Sequence, residues 1–175
     1  MSRQRTGLLL INTGDGKGKT TAAIGTAFRA LGHGMRVAVI QFIKGKWRTG
    51  ERKLGGQMEN LTWLTMGNGC TLRSADRSKD REASRLAWVR AQEFLRSEDL
   101  DLLVLDEILY SIGLDFVSVE EVLAALEVRQ PTLHVILTGR SVPVELVEIA
   151  DQVTEMRSIK HPFEKGGKGQ LGVDF

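Results

Sequence analysis

The segment Thr13-Gly14-Asp15-Gly16-Lys17-Gly18-Lys19-Thr20-Thr21 limits what this chain can fold into more than any other stretch. The apolar run Leu8-Leu9-Leu10-Ile11 precedes it, and Ala22-Ala23-Ile24-Gly25-Thr26-Ala27-Phe28 follows with the character of a helix start. Strand, glycine-rich loop and helix, in that order, make a cradle for phosphate groups. Glycines let backbone amides turn inward around phosphate oxygens, and the helix N-terminus adds its partial positive charge. In such a cradle Lys19 reaches the outer phosphates and the Thr20 hydroxyl ligates Mg2+. The expectation is a bound nucleoside triphosphate. The spacing is unusual, because Thr13 stands where the first glycine of a Walker A motif normally falls, and Gly14 comes one step later. An additional lysine, Lys17, sits inside the loop. The competing reading, a glycine-lysine turn without a ligand, is disfavoured by the strand and helix signals on either side.

A second apolar run, Leu102-Leu103-Val104-Leu105, ends in Asp106-Glu107. In P-loop proteins a carboxylate at such a strand end lies beside the Mg2+ held by the loop threonine. Neighbouring residues of a strand point to opposite faces, so one of the two is expected to face the metal and the other to bond a loop hydroxyl or a metal-bound water. Spacing alone does not say which. Leu137-Thr138-Gly139-Arg140 is a further strand end, where the Arg140 guanidinium suits phosphate or ribose. Arg29, on the first helix, is a similar candidate; a plain surface role fits both arginines equally well. His33 reads as a helix-end residue, His134 as a core histidine and His161 as a loop residue, and none has metal-ligand spacing.

Short apolar runs alternate with helical segments, the mark of an α/β fold with a mainly parallel central sheet and helices on both faces. With the glycine loop, this is the P-loop NTPase (RecA-like) architecture, in one domain over residues 1–175. Strands are expected at Leu8–Asn12, Arg36–Phe42, Leu61–Met66, Leu102–Asp106, Leu133–Thr138 and Gln152–Met156. Helices are expected at Thr20–Leu31, Lys79–Arg96, Ser118–Val128 and Val142–Ile149. Gly32-His33-Gly34 supplies a C-cap, Ser118 and Glu121 a capping box, and Pro143 a tolerated early proline. The stretches Ile43–Met58, Gly67–Ser78 and Ser158–Phe175 lack a regular period. The first two follow strands at the end of the sheet where ligands sit, so they are candidate walls of a second pocket.

With 24 Lys and Arg against 22 Asp and Glu, the net charge of +2 gives no reason to expect bulk nucleic-acid or anionic-membrane binding. A single cysteine, Cys70, allows no intrachain disulfide, and the N-terminal apolar stretch is too short for a membrane span or a secretion signal. A cytoplasmic setting is the expectation.

The run Gly14-Asp15-Gly16-Lys17-Gly18-Lys19-Thr20-Thr21-Ala22-Ala23 closely resembles the P-loop of ATP:corrinoid (cob(I)alamin) adenosyltransferases. The likeness continues in Arg29-Ala30-Leu31-Gly32-His33-Gly34, Gln41-Phe42-Ile43-Lys44-Gly45, Gly50-Glu51-Arg52 and Val104-Leu105-Asp106-Glu107. It resumes in Thr138-Gly139-Arg140, Lys160-His161-Pro162-Phe163 and Gln170-Leu171-Gly172-Val173-Asp174-Phe175. The resemblance implies transfer of the 5′-deoxyadenosyl group of ATP to the Co(I) centre of a reduced corrinoid (cobalamin, cobinamide or cobyrinic acid a,c-diamide), with release of triphosphate. It implies Lys19 and Glu107 as catalytic residues, and Thr20 and Glu107 as contacts to Mg2+ or Mn2+, with Asp106 nearby. ATP would lie in the loop in an orientation reversed from that of hydrolytic P-loop enzymes. A homodimer, and a flavoprotein or other reductase supplying Co(I), are further implications.

For the corrinoid the candidates are Lys44 and Trp47 in one loop, and Cys70 and Leu72 in the other. Two departures stand out. Some relatives carry Gly-Phe-Thr-Trp, whose aromatic pair helps displace the lower axial ligand, where this chain has Gly69-Cys70-Thr71-Leu72. Relatives often carry an N-terminal helix over the corrinoid, whereas only residues 1–12 precede the loop here, so that cover is not expected. The alternatives are a RecA-like ATPase using Lys44-Gly45-Lys46-Trp47-Arg48 on nucleic acid, a small-molecule kinase, and a non-catalytic nucleotide sensor. Triphosphate, ADP or no product distinguishes these classes.

Overall fold

Five of the six strands have five residues, and the apolar runs of Leu9–Thr13, Val37–Gln41, Leu102–Asp106 and His134–Thr138 alternate between two buried faces. The computed structural model describes residues 6–43, 49–67, 77–162 and 166–174. The strands are β1 (Leu9–Thr13), β2 (Val37–Gln41), β3 (Leu61–Thr65), β4 (Leu102–Asp106), β5 (His134–Thr138) and β6 (Gln152–Glu155). They make one sheet in the order β3-β2-β4-β5-β1-β6. Every pairing is parallel, so the expectation of a mainly parallel sheet is met in full. The helices are α1 (Lys19–Gly32), α2 (Gly50–Gly55), α3 (Ser78–Leu95), α4 (Ile108–Gly113), α5 (Val119–Glu127) and α6 (Val144–Ile149).

The period of two assigns each strand residue to a face. Val37 and Val39, Leu102 and Val104, and Ile136 pack with Ala23, Ile24, Ala27 and Ala30 of α1. Their neighbours Ala38, Ile40, Leu103, Leu105, Val135 and Leu137 pack on the other face, with α3 (Ala87, Trp88, Ala91, Leu95), α5 and α6. Both faces are therefore dry, which is why these strands read as continuous apolar runs. The short α2 seats on β3: a Cβ at Gly55 would come within 3.1 Å of the Trp63 ring.

Two six-residue helices, α2 and α4, depart from the sequence reading, which treated Ile43–Met58 as irregular and placed no element between Glu107 and Ser118. Helix α1 ends at Gly32, as expected, and Gly34 takes a left-handed φ of 74°. Pro143 is the N-cap of α6 rather than a residue inside it. The capping box is formed: Glu121 N–H donates to Ser118 Oγ at 3.2 Å, and Ser118 N–H donates to Glu121 Oε2 at 3.0 Å. Arg85 adds a two-pronged bond to the same Glu121 carboxylate, at 2.8 and 2.9 Å. The Arg85 guanidinium, then the Ser118 amide, hold the Glu121 carboxyl down at about 2. A depressed carboxyl stabilises the fold fully above its ordinary value, and that contribution is lost as pH falls towards about 2. Ser118→Ala is expected to cost about 1 kcal/mol in denaturant titration at neutral pH. The stability difference between the wild-type chain and Glu121→Gln should shrink as pH is lowered below the ordinary carboxylate range.

Candidate active site

The last residue of β4 continues the α1-facing register as a polar side chain. After Leu102 and Val104 comes Asp106, and after Val37 and Val39 comes Gln41, paired with it across the ladder. Thr138 extends the same face of β5. These groups therefore meet beneath the N-terminus of α1. Asp106 is fully buried and accepts hydrogen bonds from Thr20 Oγ1 at 2.8 Å, Thr138 Oγ1 at 2.8 Å and Gln41 Nε2 at 3.0 Å. A buried carboxylate needs such donors, since each unmet bond costs about 1–3 kcal/mol. Gln41 in turn accepts from Trp63 Nε1 and Thr65 Oγ1 of β3, each at 3.1 Å.

Glu107 takes a left-handed backbone, φ 65° and ψ 20°, and caps α4. Strand alternation would send its side chain across the sheet from Asp106. The left-handed turn instead brings it to line the cavity over the phosphate loop. Such a conformation costs a non-glycine residue about 1–2 kcal/mol. A Thr138 Oγ1 bond to the Glu107 amide, at 2.9 Å, helps to hold it.

The loop itself encloses Lys19. Its ammonium donates to the carbonyls of Gly14 at 2.7 Å and Gly16 at 2.8 Å, and the residue is 8 % exposed. Burial lowers its pKa, Glu107 opposes that shift, and Arg140 adds to it. Gly18 is the N-cap of α1 with φ 116°, a conformation that favours glycine. No side chain caps this helix and no acid lies in its first turn, so its amides and positive end face the loop. Gly16 leans on the chain beyond β6: its amide donates to Met156 O at 2.6 Å, and a Cβ would come within 2.7 Å of that backbone.

The cavity has a volume of about 520 Å3. Lys17, Lys19, Thr20 and Glu107 line one part, Thr21, Ile24, Gly25 and Phe28 of α1 another, and Gly50 and Glu51 of α2 a further wall. Gly172, Val173 and Asp174 complete it. Lys17 donates to the Asp174 carboxylate. That bond, and the Gln170 amide at 2.7 Å, hold the Asp174 carboxyl below its ordinary range. An incoming phosphate must compete with that carboxylate for Lys17. Asp174→Asn is therefore expected to lower the KM for ATP about two- to fivefold, the scale of an exposed ion pair. Initial-rate kinetics at fixed acceptor would measure it.

The sequence candidates are mostly brought together. Thr13 is buried at the end of β1, and Gly14 to Thr21 form the loop and first turn. Asp15 pairs with Arg140 at 3.5 Å across the loop rim. Of the two strand-end carboxylates, Glu107 lines the cavity, while Asp106 sits beneath it on the Thr20 hydroxyl. Arg29 lies apart, exposed in the last turn of α1 and outside the cavity lining. Lys44, Trp47, Cys70 and Leu72 lie outside the described residues. His134 is hydrogen-bonded, its Nδ1 accepting from the Leu8 amide at 3.0 Å, but it is half-buried at the first position of β5 and is not the core residue expected from sequence. Gln41 and Asp174 were not singled out as site residues. Gln41 had the same signal as Asp106, a polar residue closing an apolar strand.

A phosphate loop after β1, with a carboxylate-ended strand one place beyond its neighbour β5, defines a P-loop nucleotide-binding protein. The same fold occurs in the KaiC-like protein PH0186 of Pyrococcus horikoshii OT3, with a TM-score of 0.50 and 19% identity over 87% of this chain and 73% of that one. The family model for the ATP:corrinoid adenosyltransferases BtuR/CobO/CobP matches residues 5–175. Corrinoid adenosyltransferase of Escherichia coli K12 is 43% identical over 97% of this chain and 86% of its own length. The Sinorhizobium enzyme of that name is 45% identical over 97% of this chain and 80% of its own. Corrinoid adenosyltransferase CobA of Salmonella typhimurium is 41% identical over 99% and 88%. The chain belongs to the ATP:corrinoid adenosyltransferase family.

Proposed function

We propose that the chain transfers the 5′-deoxyadenosyl group of ATP to the Co(I) centre of a reduced corrinoid and releases intact triphosphate. The cobalt electron pair forms the Co–C5′ bond, the C5′–O bond breaks, and its pair leaves with the triphosphate. The observation that carries this reading is the buried Lys19 ammonium at the centre of the loop, with Lys17 on the same cavity. Negative charge grows on the departing polyphosphate, and fixed cations and amides stabilise it without reorganising. The nucleophile comes with the acceptor, so no proton has to be removed from it. The cavity accordingly presents ammonium, hydroxyl and carboxylate groups, suited to a polyphosphate and a cation.

The donor set fits Mg2+ or Mn2+, since the Thr20 hydroxyl and Glu107 carboxylate are hard oxygen ligands on one wall. Among the described residues no three His, Cys, Asp or Glu cluster as a metal cage. Mg2+ is commonly held by one or two protein oxygens plus phosphates and water. When bound, the ion neutralises polyphosphate charge. Asp106 fixes the Thr20 hydroxyl for that task. A homodimer, and a reductase that delivers Co(I), complete the proposal. Among the described residues no helix is long and apolar enough to cross a membrane.

The test incubates the protein with ATP, Mg2+ and chemically reduced cobalamin. The expected result is the absorbance change of cobalt–carbon bond formation with one triphosphate per turnover. ADP as product would sink the proposal in favour of a kinase or ATPase.

A further inference from the structure

We propose that Gln41 is a positioning residue that couples nucleotide occupancy to the α2 wall of the cavity. The inference rests on the adenosyl-transfer reading for its kinetic consequence, though not for the coupling itself. Gln41 is 2 % exposed and its amide is used at both ends. Its Nε2 donates to Asp106, which also takes the hydroxyl of the loop residue Thr20. Its Oε1 accepts from Trp63 and Thr65 on β3. The Trp63 ring lies under Gly55, where even a methyl group would press against it at 3.1 Å. Gly55 ends α2, and the first residues of α2, Gly50 and Glu51, line the cavity. One chain of contacts, buried at Gln41 and Asp106 and half-buried at its ends, thus joins the phosphate side of the cavity to its α2 wall.

The amide orientation is fixed by its surroundings. Only the NH2 group suits the Asp106 carboxylate, and only the carbonyl suits two donors. Drawing Thr20 towards a metal or phosphate alters its hydroxyl bond to Asp106, and connected hydrogen bonds polarise one another. The adjustment passes through Gln41 to Trp63 and so to the seat of α2. For group transfer the width between the polyphosphate grip and that wall decides whether C5′ meets the acceptor, and about 1 Å of misplacement costs on the order of a hundredfold.

The experiment uses the full chain labelled with 5-fluorotryptophan, the Trp63 resonance being assigned through Trp63→Phe. A non-reactive Mg2+–ATP analogue should shift that resonance in the wild-type chain. In Gln41→Leu the shift should vanish, kcat for cobalamin should fall at least about tenfold, and the Kd for the analogue should stay within about threefold. Gln41→Met, which keeps the length of the side chain and loses both amide bonds without adding a charge beside Asp106, serves as a second variant should the leucine chain not fold. It should show the same split. A wild-type Trp63 signal unmoved by nucleotide, or one that moves equally in the variants, overturns the coupling. So does a loss of nucleotide affinity that matches the loss of rate. A chain that shifts Trp63 through Gln41 yet alkylates no corrinoid overturns the reaction and leaves the coupling standing.

Discussion

Lys19→Ala lowers kcat/KM for adenosyl transfer about a thousandfold while the chain remains folded; this is the expected result when cobalt alkylation is followed by absorbance. One preorganised donor aimed at developing negative charge is worth about a hundred- to a thousandfold. Lys19 is at the upper end because it is buried and already bonded to two loop carbonyls, so it has no freedom to lose on binding. Lys19→Arg should restore little, since the broad planar guanidinium does not fit a pocket closed by the Gly14 and Gly16 carbonyls. Burial lowers the lysine pKa, and a lowered value means loss of the ammonium at lower pH than for an ordinary lysine. The rate is accordingly expected to fall on the alkaline side, beginning below the usual lysine range. A pH profile of kcat/KM for ATP, the parameter that reports the nucleotide-free enzyme, checks the sign.

Asp106→Ala should be the more damaging change for stability, costing about 3–5 kcal/mol. It strands two buried donors, the Thr138 hydroxyl and the Gln41 amide, and removes the acceptor of the Thr20 hydroxyl at the cavity edge. Urea titration of the two chains without nucleotide measures the loss directly. Glu107→Gln gives the contrast, because Glu107 borders the cavity instead of lying beneath it. That variant should keep nearly all of its stability and lose the response of its rate to Mg2+. Equal loss of stability in both variants would refute the division of labour between the two carboxylates.

Strands β1, β2, β4 and β5 were legible as buried apolar runs, and β3 and β6, which are half-buried or exposed, as short runs between turn signals; all the ends were placed within about two residues, as end fraying allows. The strand order was not. Gln41 faces Asp106 because β2 and β4 are neighbours, a pairing between residues 65 apart that no local pattern encodes. Helices α2 and α4 escaped notice for a local reason. Each has six residues, too few to show a period, and neither has a side-chain cap. Helix α4 starts from a left-handed glutamate, which carries no start signal in sequence. The phosphate loop and the pair Asp106-Glu107 were readable because their chemistry depends on consecutive residues. Asp174 was readable only as part of a family block, since its partner Lys17 is 157 positions away.

The brace between Gly16 and Met156 ties the phosphate loop to the rim of the sheet. Among the described residues strand β6 is the outermost strand on its side and pairs only with β1. Rim strands fray most readily, and each transient opening there takes away the prop on which the loop rests. Nucleotide held in the loop must therefore also slow amide exchange along Gln152–Glu155. Ligand occupancy and breathing at the sheet's border become a single equilibrium, read at two places.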